Sequence, residues 1–317
     1  MYYIGVDLGG TNIAIGIVNE EFEIVKKGST PTKPERGADA IVADMAALSH
    51  KLLEEMGLTL DDVVSAGVAT PGTANNETGV VEYANNIPFL QYPLADKLSA
   101  LLDGKPVYIE NDANAAAKAE AMAGVAKGAP YSVMITLGTG LGGGIVINGK
   151  VYSGFNFAGA ELGHIVIEKD GRQCSCGRKG CWEAYSSATA LINFTKEKMA
   201  QTKDTLMWEL CENGAKKVSG RTAFKAAKAG DKAGQEVVDT YIDYLACGIT
   251  NMVNIFQPEV LCIGGGVCGE GDYLLEPLKA IVDRDQYGSA AHDDKTQIKI
   301  AELGNDAGIL GAALLGI

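Results

Sequence analysis

The residues with the clearest potential for chemistry are three cysteines that lie within eight positions, with a histidine ten residues before the first of them. The four residues are His164, Cys174, Cys176 and Cys181. Three thiolates and one imidazole make a complete tetrahedral ligand set, which is the usual composition of a structural zinc site. Glycines between the cysteines give the turn the backbone freedom to wrap a metal. The spacing therefore predicts a zinc site in this segment.

Buried structural cysteines are the alternative interpretation, and we assign that role to Cys247 and Cys262, which are isolated along the sequence. Three cysteines in one turn beside a histidine favour a metal instead. Disulfides are disfavoured because seven is an odd number of cysteines and no signal peptide opens the chain. We therefore expect reduced thiols and a cytoplasmic location.

Composition limits the classes of function. A chain of 317 residues with 47% hydrophobic residues predicts about two domains with an ample core. The net charge is −13, and no cluster of lysine and arginine is present, which disfavours binding to nucleic acid or to an anionic membrane. No apolar run is long enough to cross a bilayer. We expect a soluble protein with small-molecule ligands.

Two glycine-rich β-hairpins recur in the sequence. The first has strands over 2–7 and 13–18, and the second has strands over 131–137 and 145–147 around a glycine turn at 138–144. Leu8-Gly9 aligns with Leu137-Gly138 at an offset of 129 residues. This predicts an internal duplication in which each half opens on a hairpin. Two unrelated glycine hairpins that look alike are the alternative.

Hydrophobic periodicity and turn residues predict the remaining elements. Helices are expected over 36–56, 94–102, 113–124, 183–199, 201–230, 231–256, 273–282 and 306–315, and strands over 63–69, 107–109, 260–263 and 297–301. The strand at 107–109 delivers Glu110, Asn111 and Asp112 to its carboxyl end, just before a helix. Ligands of open α/β sheets bind at such strand ends.

The glycine patterns bear on phosphate binding. The chain has no P-loop motif, but G-x-G-x-x-G occurs at 138–143 and at 264–269. The first match precedes a strand, so it fits a hairpin that binds phosphate through backbone N–H groups and not a dinucleotide fold. The second precedes a helix, yet only one strand follows it, which disfavours nicotinamide binding. We expect Gly264, Gly265 and Gly266 to lie against an adenine and ribose.

A hairpin at the head of each half predicts a nucleoside triphosphate held between the halves. Asp7 lies at the first tip, where a carboxylate can hold Mg²⁺ directly or through water. Turn capping is the alternative role, but Asp7 lies within a strand. Thr11, Asn12 and Thr139 can donate to phosphate oxygens. The backbones of Gly9, Gly10, Gly138 and Gly140 complete the two candidate phosphate sites.

Together these motifs resemble the ROK family of sugar kinases and repressors. The resemblance covers nearly the whole chain and rests on Asp7-Leu-Gly-Gly-Thr-Asn12, Pro71-Gly72, Glu110-Asn-Asp-Ala-Asn114, Leu137-Gly-Thr-Gly140, Glu161-Leu-Gly-His164, the cysteine motif through Glu183, Gly264-Gly-Gly266 and Leu303-Gly-Asn-Asp-Ala-Gly308. It implies an α/β, actin-like ATPase (ribonuclease H-like) fold with two α/β domains around a central cleft. The implied domains are residues 1–112 plus 304–317, and residues 113–303 with the zinc motif.

The same resemblance implies an ATP-dependent hexose kinase with ATP, Mg²⁺ and Zn²⁺ as cofactors. Asp112 would be the catalytic base that takes the proton of a sugar hydroxyl. The implied sugar-binding residues are Gly72, Asn86, Asn111, Asp112, Glu161, His164 and Glu183. His164 would serve both zinc and sugar, because one ring nitrogen can bind metal while the other donates to a hydroxyl.

The runs 83–88 and 181–185 most resemble family members that phosphorylate glucose, and kinases for fructose, allose or N-acetylmannosamine are the alternatives. A repressor is disfavoured by the acidic charge and by a nucleotide hairpin that begins at residue 2. A glycosidase using Asp112, Glu161 and Glu183 would leave both hairpins without a role.

We expect a homo-oligomer, either a dimer or a tetramer. Many relatives have glycine where Ala160 stands, so this residue departs from the family pattern just before the Glu161 motif.

Overall fold

We describe the protein from a computed structural model. The structure describes residues 1–212, 214, 217–288, 290–291 and 293–317. Part of the predicted helix at 201–230 therefore lies outside the described residues. Among the helices that the structure describes, none combines the length and apolar composition needed to span a membrane.

The secondary structure follows the predicted order of elements closely. The strands are β1 (Tyr2–Leu8), β2 (Asn12–Val18), β3 (Ile24–Pro31), β4 (Val63–Thr70), β5 (Thr73–Asn75), β6 (Val80–Tyr83), β7 (Leu90–Tyr92), β8 (Val107–Asn111), β9 (Ser132–Leu137), β10 (Leu141–Ile147), β11 (Lys150–Val151), β12 (Val260–Gly264) and β13 (Gln297–Ile300). The helices are α1 (Ala38–Glu55), α2 (Leu94–Leu101), α3 (Asp112–Ala123), α4 (Glu183–Ser186), α5 (Ala188–Gln201), α6 (Leu206–Leu210), α7 (Thr222–Lys228), α8 (Lys232–Phe256), α9 (Asp272–Asp285) and α10 (Ala307–Ala313).

The chain divides into two compact units. The first unit contains Met1–Pro130, Gly144–Ala160 and Glu302–Ile317, and the second contains Tyr131–Gly143 and Glu161–Ala301. The predicted boundary at residue 112 separates α3 from the first unit, whereas the structure groups α3 with it. The reason is direct packing of α3 on α10, because a Cβ placed on Gly311 would lie 1.9 Å from the carbonyl oxygen of Ala115.

The first unit is built on a five-stranded sheet with the order β3-β2-β1-β4-β8. Strand β4 is parallel to β1 and β8, and β2 is antiparallel to β1 and β3. Ile41 and Met45 of α1 pack with Ile4 and Val6 of β1 in one buried cluster. A Cβ on Gly67 of β4 would lie 1.8 Å from the carbonyl oxygen of Ala312, so α10 approaches the sheet backbone closely. The sheet is therefore mixed, with two parallel and two antiparallel pairings, and helices pack against it.

The second five-stranded sheet has the order β11-β10-β9-β12-β13. Strand β12 is parallel to β9 and β13, and β10 is antiparallel to β11. Strand for strand this is the order of the first sheet, with β9 in the place of β1 and β12 in the place of β4. The repeated order confirms the predicted internal duplication.

Three predicted boundaries differ from the structure. Strand β10 begins at Leu141, so most of the predicted turn at 138–144 is strand, and a Cβ on Gly143 would lie 2.5 Å from the Leu162 side chain. The predicted helix at 183–199 breaks at Ser187, whose side chain accepts from the backbone N–H of Ala190 and starts α5. After Gln201, the last residue of α5, only α6 and α7 are α-helical in the described part of 201–230. Strands β3, β5, β6, β7 and β11 have no counterpart among the predicted elements.

Candidate active site

Two carboxylates of the first unit lie close enough to influence each other. Asp112 is the first residue of α3, its Oδ1 accepts from the backbone N–H of Ala113 at 2.8 Å, and its side chain is exposed at the surface. The surrounding protein nevertheless removes hydration and raises the pKa of the Asp112 carboxyl above its usual range. At the end of β1, burial and then the charge of Asp112 raise the pKa of Asp7 to about 6. Two negative carboxylates in a shared site repel each other, which favours protonation of one of them or binding of a cation between them.

The first glycine hairpin is held by short backbone contacts. The N–H of Gly9 donates to the carbonyl oxygen of Asn12 at 2.9 Å, which closes the turn between β1 and β2. The Thr32 hydroxyl donates to the carbonyl oxygen of Gly9 at 2.7 Å. Thr11 and Asn12 are exposed. The tip therefore presents polar groups on a braced backbone, which suits a phosphate.

Asn111 has a structural task that the sequence analysis did not assign. Its Oδ1 accepts from the backbone N–H groups of Ala113 at 2.9 Å and Asn114 at 3.3 Å, so it caps α3. Its Nδ2 donates to the carbonyl oxygen of Gly72 at 3.1 Å. Gly72 has φ 90°, a conformation that favours glycine. The cap fixes the start of α3 and with it the position of Asp112.

Asn86, which was predicted to bind sugar, lies next to the first hairpin. A Cβ on Gly10 would lie 3.0 Å from the Cβ of Asn86, and the Asn86 side chain is exposed. The first unit thus brings Asn86 beside the glycine tip, while Asn111 and Asp112 share one strand end.

The four predicted metal ligands of the second unit form one cluster. The ligand atoms of His164, Cys174, Cys176 and Cys181 all lie within 4.8 Å of one another. The Sγ atoms of Cys176 and Cys181 are 3.7 Å apart, and Cys174 Sγ is 3.8 Å from His164 Nδ1. Sulfurs bound to a tetrahedral zinc at ~2.3 Å lie ~3.8 Å apart, so the residues fit zinc. Burial raises the pKa of the Cys181 thiol to about 12, and a bound cation would favour its thiolate.

Glu183 connects the metal loop to the second glycine hairpin. Its Oε2 accepts from the backbone N–H of Leu141 at 3.0 Å, and its Oε1 accepts from the Ser175 hydroxyl at 3.0 Å. A Cβ on Gly140 would lie 2.3 Å from Glu183 Oε2. Glu161 is exposed and precedes the short 3₁₀ turn that carries His164. The hairpin, the metal cluster and Glu183 therefore form one connected set in the second unit.

The second hairpin is braced by the start of α5. The Thr189 hydroxyl donates to the carbonyl oxygen of Thr139 at 2.7 Å, and the N–H of Ala188 donates to the carbonyl oxygen of Gly138 at 2.9 Å. A cavity of about 480 Å³ lies against this hairpin and extends to Cys174 and Ser175.

The glycines that follow β12 are arranged for close backbone approach. A Cβ on Gly265, which has φ 102°, would lie 2.3 Å from the carbonyl oxygen of Leu137. At Gly266 no atom of the described residues lies within 4 Å of such a Cβ, so space for a ligand adjoins the backbone.

The predicted site residues divide between the two units. The first unit contains Asp7, Gly9, Gly10, Thr11, Asn12, Gly72, Asn86, Asn111 and Asp112, and the second contains Gly138, Thr139, Gly140, Glu161, His164, Cys174, Cys176, Cys181, Glu183, Gly264, Gly265 and Gly266. The sequence analysis assigned no role to Glu110, Thr32 or Ser175. The sequence does contain a feature that could have identified Glu110 as a functional residue, because Glu110 is a carboxylate at the end of a buried strand.

Known proteins resemble this chain over its full length. A sequence model of the ROK family matches residues 3–317. The glucokinase of Halalkalibacterium halodurans is 37% identical to this chain, and the match covers 99% of this chain and 94% of that protein. The glucokinase of Thermotoga maritima is 36% identical, over 98% of this chain and 95% of that protein. The crystal structure of a ROK family glucokinase from Streptomyces griseus in complex with glucose and AMPPNP is 35% identical, with a TM-score of 0.81 over 99% of this chain and 98% of that one. These similarities confirm the predicted actin-like ATPase fold. The chain belongs to the ROK family.

Proposed function

We propose that the protein is an ATP-dependent hexose kinase that converts glucose to glucose 6-phosphate. One observation carries the proposal: β1 and β8 both run parallel to β4, with Asp7 opposite Ala69 and Asn111 opposite Thr70, so Asp7 and the adjoining Asp112 lie at the same edge of the sheet, beside the first glycine hairpin. A candidate base and a candidate phosphate site are thereby neighbours within one unit. The similarity to glucokinases over the full chain supports glucose as the acceptor.

Asp112 would act as the general base. Its carboxylate accepts the proton of the 6-hydroxyl while the hydroxyl oxygen forms a bond to the γ-phosphorus. The bond from that phosphorus to the β–γ bridging oxygen breaks, and ADP leaves. A raised pKa makes the Asp112 carboxylate a stronger base near neutral pH. Because the transition state of phosphoryl transfer is loose, positioning of the hydroxyl contributes most of the effect.

The two hairpins would bind the nucleotide. Backbone N–H groups of the glycine tips, with Thr11, Asn12 and Thr139, would donate to phosphate oxygens, and Gly264 to Gly266 would lie against adenine and ribose. Asp7 would hold Mg²⁺ directly or through water. When bound, Mg²⁺ supplies positive charge to the phosphates.

The sugar would be bound by Asn86, Asn111, Glu161, His164 and Glu183, whose amides and carboxylates donate to and accept from hydroxyl groups. His164, Cys174, Cys176 and Cys181 would hold zinc, which supplies a fixed anchor for the loop and no reacting group. Since His164 Nδ1 faces Cys174, its Nε2 is the nitrogen left to contact a hydroxyl.

The test is the rate of ADP formation with ATP and Mg²⁺ over glucose, mannose, fructose, allose and N-acetylmannosamine. We expect the highest kcat/KM with glucose. A higher value with another sugar would reassign the acceptor, and an absence of sugar-dependent ADP formation would refute the kinase function.

Asp112→Asn should lower kcat by ~10²-fold or more with an unchanged circular dichroism spectrum. Turnover close to that of the unmodified protein would remove Asp112 from the mechanism.

We also infer that the protein acts in the cytoplasm and assembles as a dimer or tetramer. Its seven free thiols are suited to a reducing compartment. Light scattering after size-exclusion chromatography tests the assembly, and a monomeric mass would contradict it.

A further inference from the structure

Glu110 is a buried carboxylate at the end of β8, and only 3% of it is exposed. Its Oε1 accepts from the backbone N–H of Asn111 at 2.9 Å and from Asn114 Nδ2 at 3.1 Å. Its Oε2 accepts from Asn76 Nδ2 at 2.8 Å and from the Ser153 hydroxyl at 2.9 Å. All four donors are uncharged. Burial of a charge is costly unless hydrogen bonds satisfy it, so this arrangement is specific to a carboxylate.

The four donors belong to parts of the first unit that are distant in sequence. Asn76 lies in the turn between β5 and β6, Ser153 follows β11, and Asn114 lies in the first turn of α3. Asn114 is also buried, and its Nδ2 lies 3.5 Å from the Ser153 hydroxyl. The Glu110 carboxylate therefore joins a hairpin, a loop and a helix at one point.

One consequence concerns the start of α3. The bond from Asn111 N–H to Glu110 fixes the backbone at the step from β8 into the helix. The Asn111 side chain then caps α3, and Asp112 is the first residue of that helix. A shift of the strand end would move the Asp112 carboxylate.

A second consequence concerns the loop from 153 to 159. The N–H of Gly159 donates to the carbonyl oxygen of Ser153 at 2.8 Å, which closes the loop at its base. The loop leads directly to Ala160 and to Glu161, a proposed sugar ligand. Glu110 anchors the same base through the Ser153 hydroxyl.

We propose that Glu110 is a positioning residue of the reaction, whose charge holds Asp112 and the 153–159 loop in a single arrangement. The inference rests on the proposed kinase function. Glu110 touches no reacting atom in this view. It acts through Asn111 and Ser153.

Glu110→Gln is the sharpest variant, because it removes the charge and keeps the volume. One amide oxygen can still accept from Asn111 and Asn114, and the new N–H groups can donate to the Ser153 oxygen. Asn76 is exposed and can rotate its amide to present an oxygen. Folding is therefore expected to survive, while the four-donor arrangement is lost.

Glu120→Gln is the matched control. Glu120 lies on the same helix as Asp112, is 0% exposed, and accepts from the backbone N–H groups of Val125 at 3.0 Å and Leu303 at 2.9 Å. It has no proposed role in the reaction. Both variants should lower the melting temperature, but only Glu110→Gln should lower kcat, by about 10- to 100-fold, because small displacements of a reacting group cost that much. The KM for ATP should stay within twofold of the unmodified protein in both variants.

Ser153→Ala tests the loop separately and leaves the Glu110 charge in place. We expect a several-fold higher KM for the sugar with kcat little changed. This variant also keeps the inference testable if Glu110→Gln does not fold.

The outcomes separate the inference from the function on which it rests. An unmodified protein without sugar-dependent ADP formation would refute both. If the unmodified protein is active, the inference alone fails when Glu110→Gln keeps its kcat within twofold, or when Glu120→Gln loses kcat equally. An unchanged sugar KM in Ser153→Ala would refute the role of the loop anchor.

Discussion

Ala160 occupies a backbone conformation that favours glycine. Its φ is 62°, in the left-handed region, and it is the last residue before Glu161. A residue with a Cβ costs roughly 1–2 kcal/mol there. Ala160→Gly therefore introduces the residue that this conformation favours. We expect the variant to be more stable than the unmodified protein.

The magnitude follows from two opposing terms. Removing the left-handed strain gains about 1–2 kcal/mol, whereas glycine adds freedom to the unfolded chain that costs about 0.4–1 kcal/mol. The net gain is then about 0–1.6 kcal/mol, with a midpoint near 0.8 kcal/mol. For a chain of this size that corresponds to roughly 1–3 °C in melting temperature. Ala158→Gly is the control, since Ala158 lies in the same loop without a positive φ.

The measurement is thermal unfolding of the three proteins, followed by circular dichroism under identical conditions. Ala158→Gly should melt slightly below the unmodified protein, because it carries the entropy cost alone, and Ala160→Gly should melt above it. The difference between the two variants isolates the strain. If Ala160→Gly melts no higher than Ala158→Gly, the strain assigned to Ala160 is wrong.

Three further predictions concern the metal cluster, Asp7 and the second hairpin. Cys176→Ala should abolish zinc binding measured by elemental analysis and lower the melting temperature. Cys247, which the sequence analysis expected to be buried, is exposed in the structure, so Cys247→Ala is the control at a second exposed cysteine and should do neither. Retained zinc in Cys176→Ala would contradict the ligand assignment. The folded pKa of Asp7 lies above its ordinary value of 3.8, at about 6, so its ionisation costs stability as pH rises through that window, by at most ~3 kcal/mol. Asp7→Asn should therefore stabilise the protein at pH 7.5 without Mg²⁺ and nucleotide but not at pH 4, and an equal effect at both values would exclude this cause. Gly140→Ala should lower the free energy of unfolding by about 1–3 kcal/mol, because its Cβ would push the Glu183 carboxylate away from its hydrogen bonds with the Leu141 N–H and the Ser175 hydroxyl. Gly138→Ala, whose Cβ meets no atom of the described residues, should not. Similar melting temperatures of the two variants would argue against this displacement.

The sequence predicted the parts of the fold that depend on local pattern. Strand β1 and the long helix α8 have strong periodicity and clear ends, and both were predicted within two residues. Strand β3 was missed because its residues alternate only between half-buried and exposed, and lysines and a glycine interrupt it. The glycines of β10 were assigned to a turn because glycine usually weakens strands. Gly143 packs closely against Leu162, and Gly144 packs against Ala113 and Ala117 of α3, contacts that only tertiary structure defines.

The candidate site shows the same limit. The cluster of His164 with three cysteines was predicted from spacing, and the structure brings the four residues together. The cap made by Asn111 and the bonds of Glu110 were not predicted, because Asn76 and Ser153 approach Glu110 only after the chain has folded. Sequence motifs identify which residues meet a ligand more readily than which residues hold them in place.

The repeated strand order has a consequence for how the two halves have diverged. At the shared offset of 129 residues, the position equivalent to Asp7 is Thr136, a neutral residue. Of the two hairpins, therefore, only the first carries a carboxylate at this position, where it is suited to a divalent ion. The two halves are no longer interchangeable here, and the proposed Mg²⁺ ligand belongs to the first half alone.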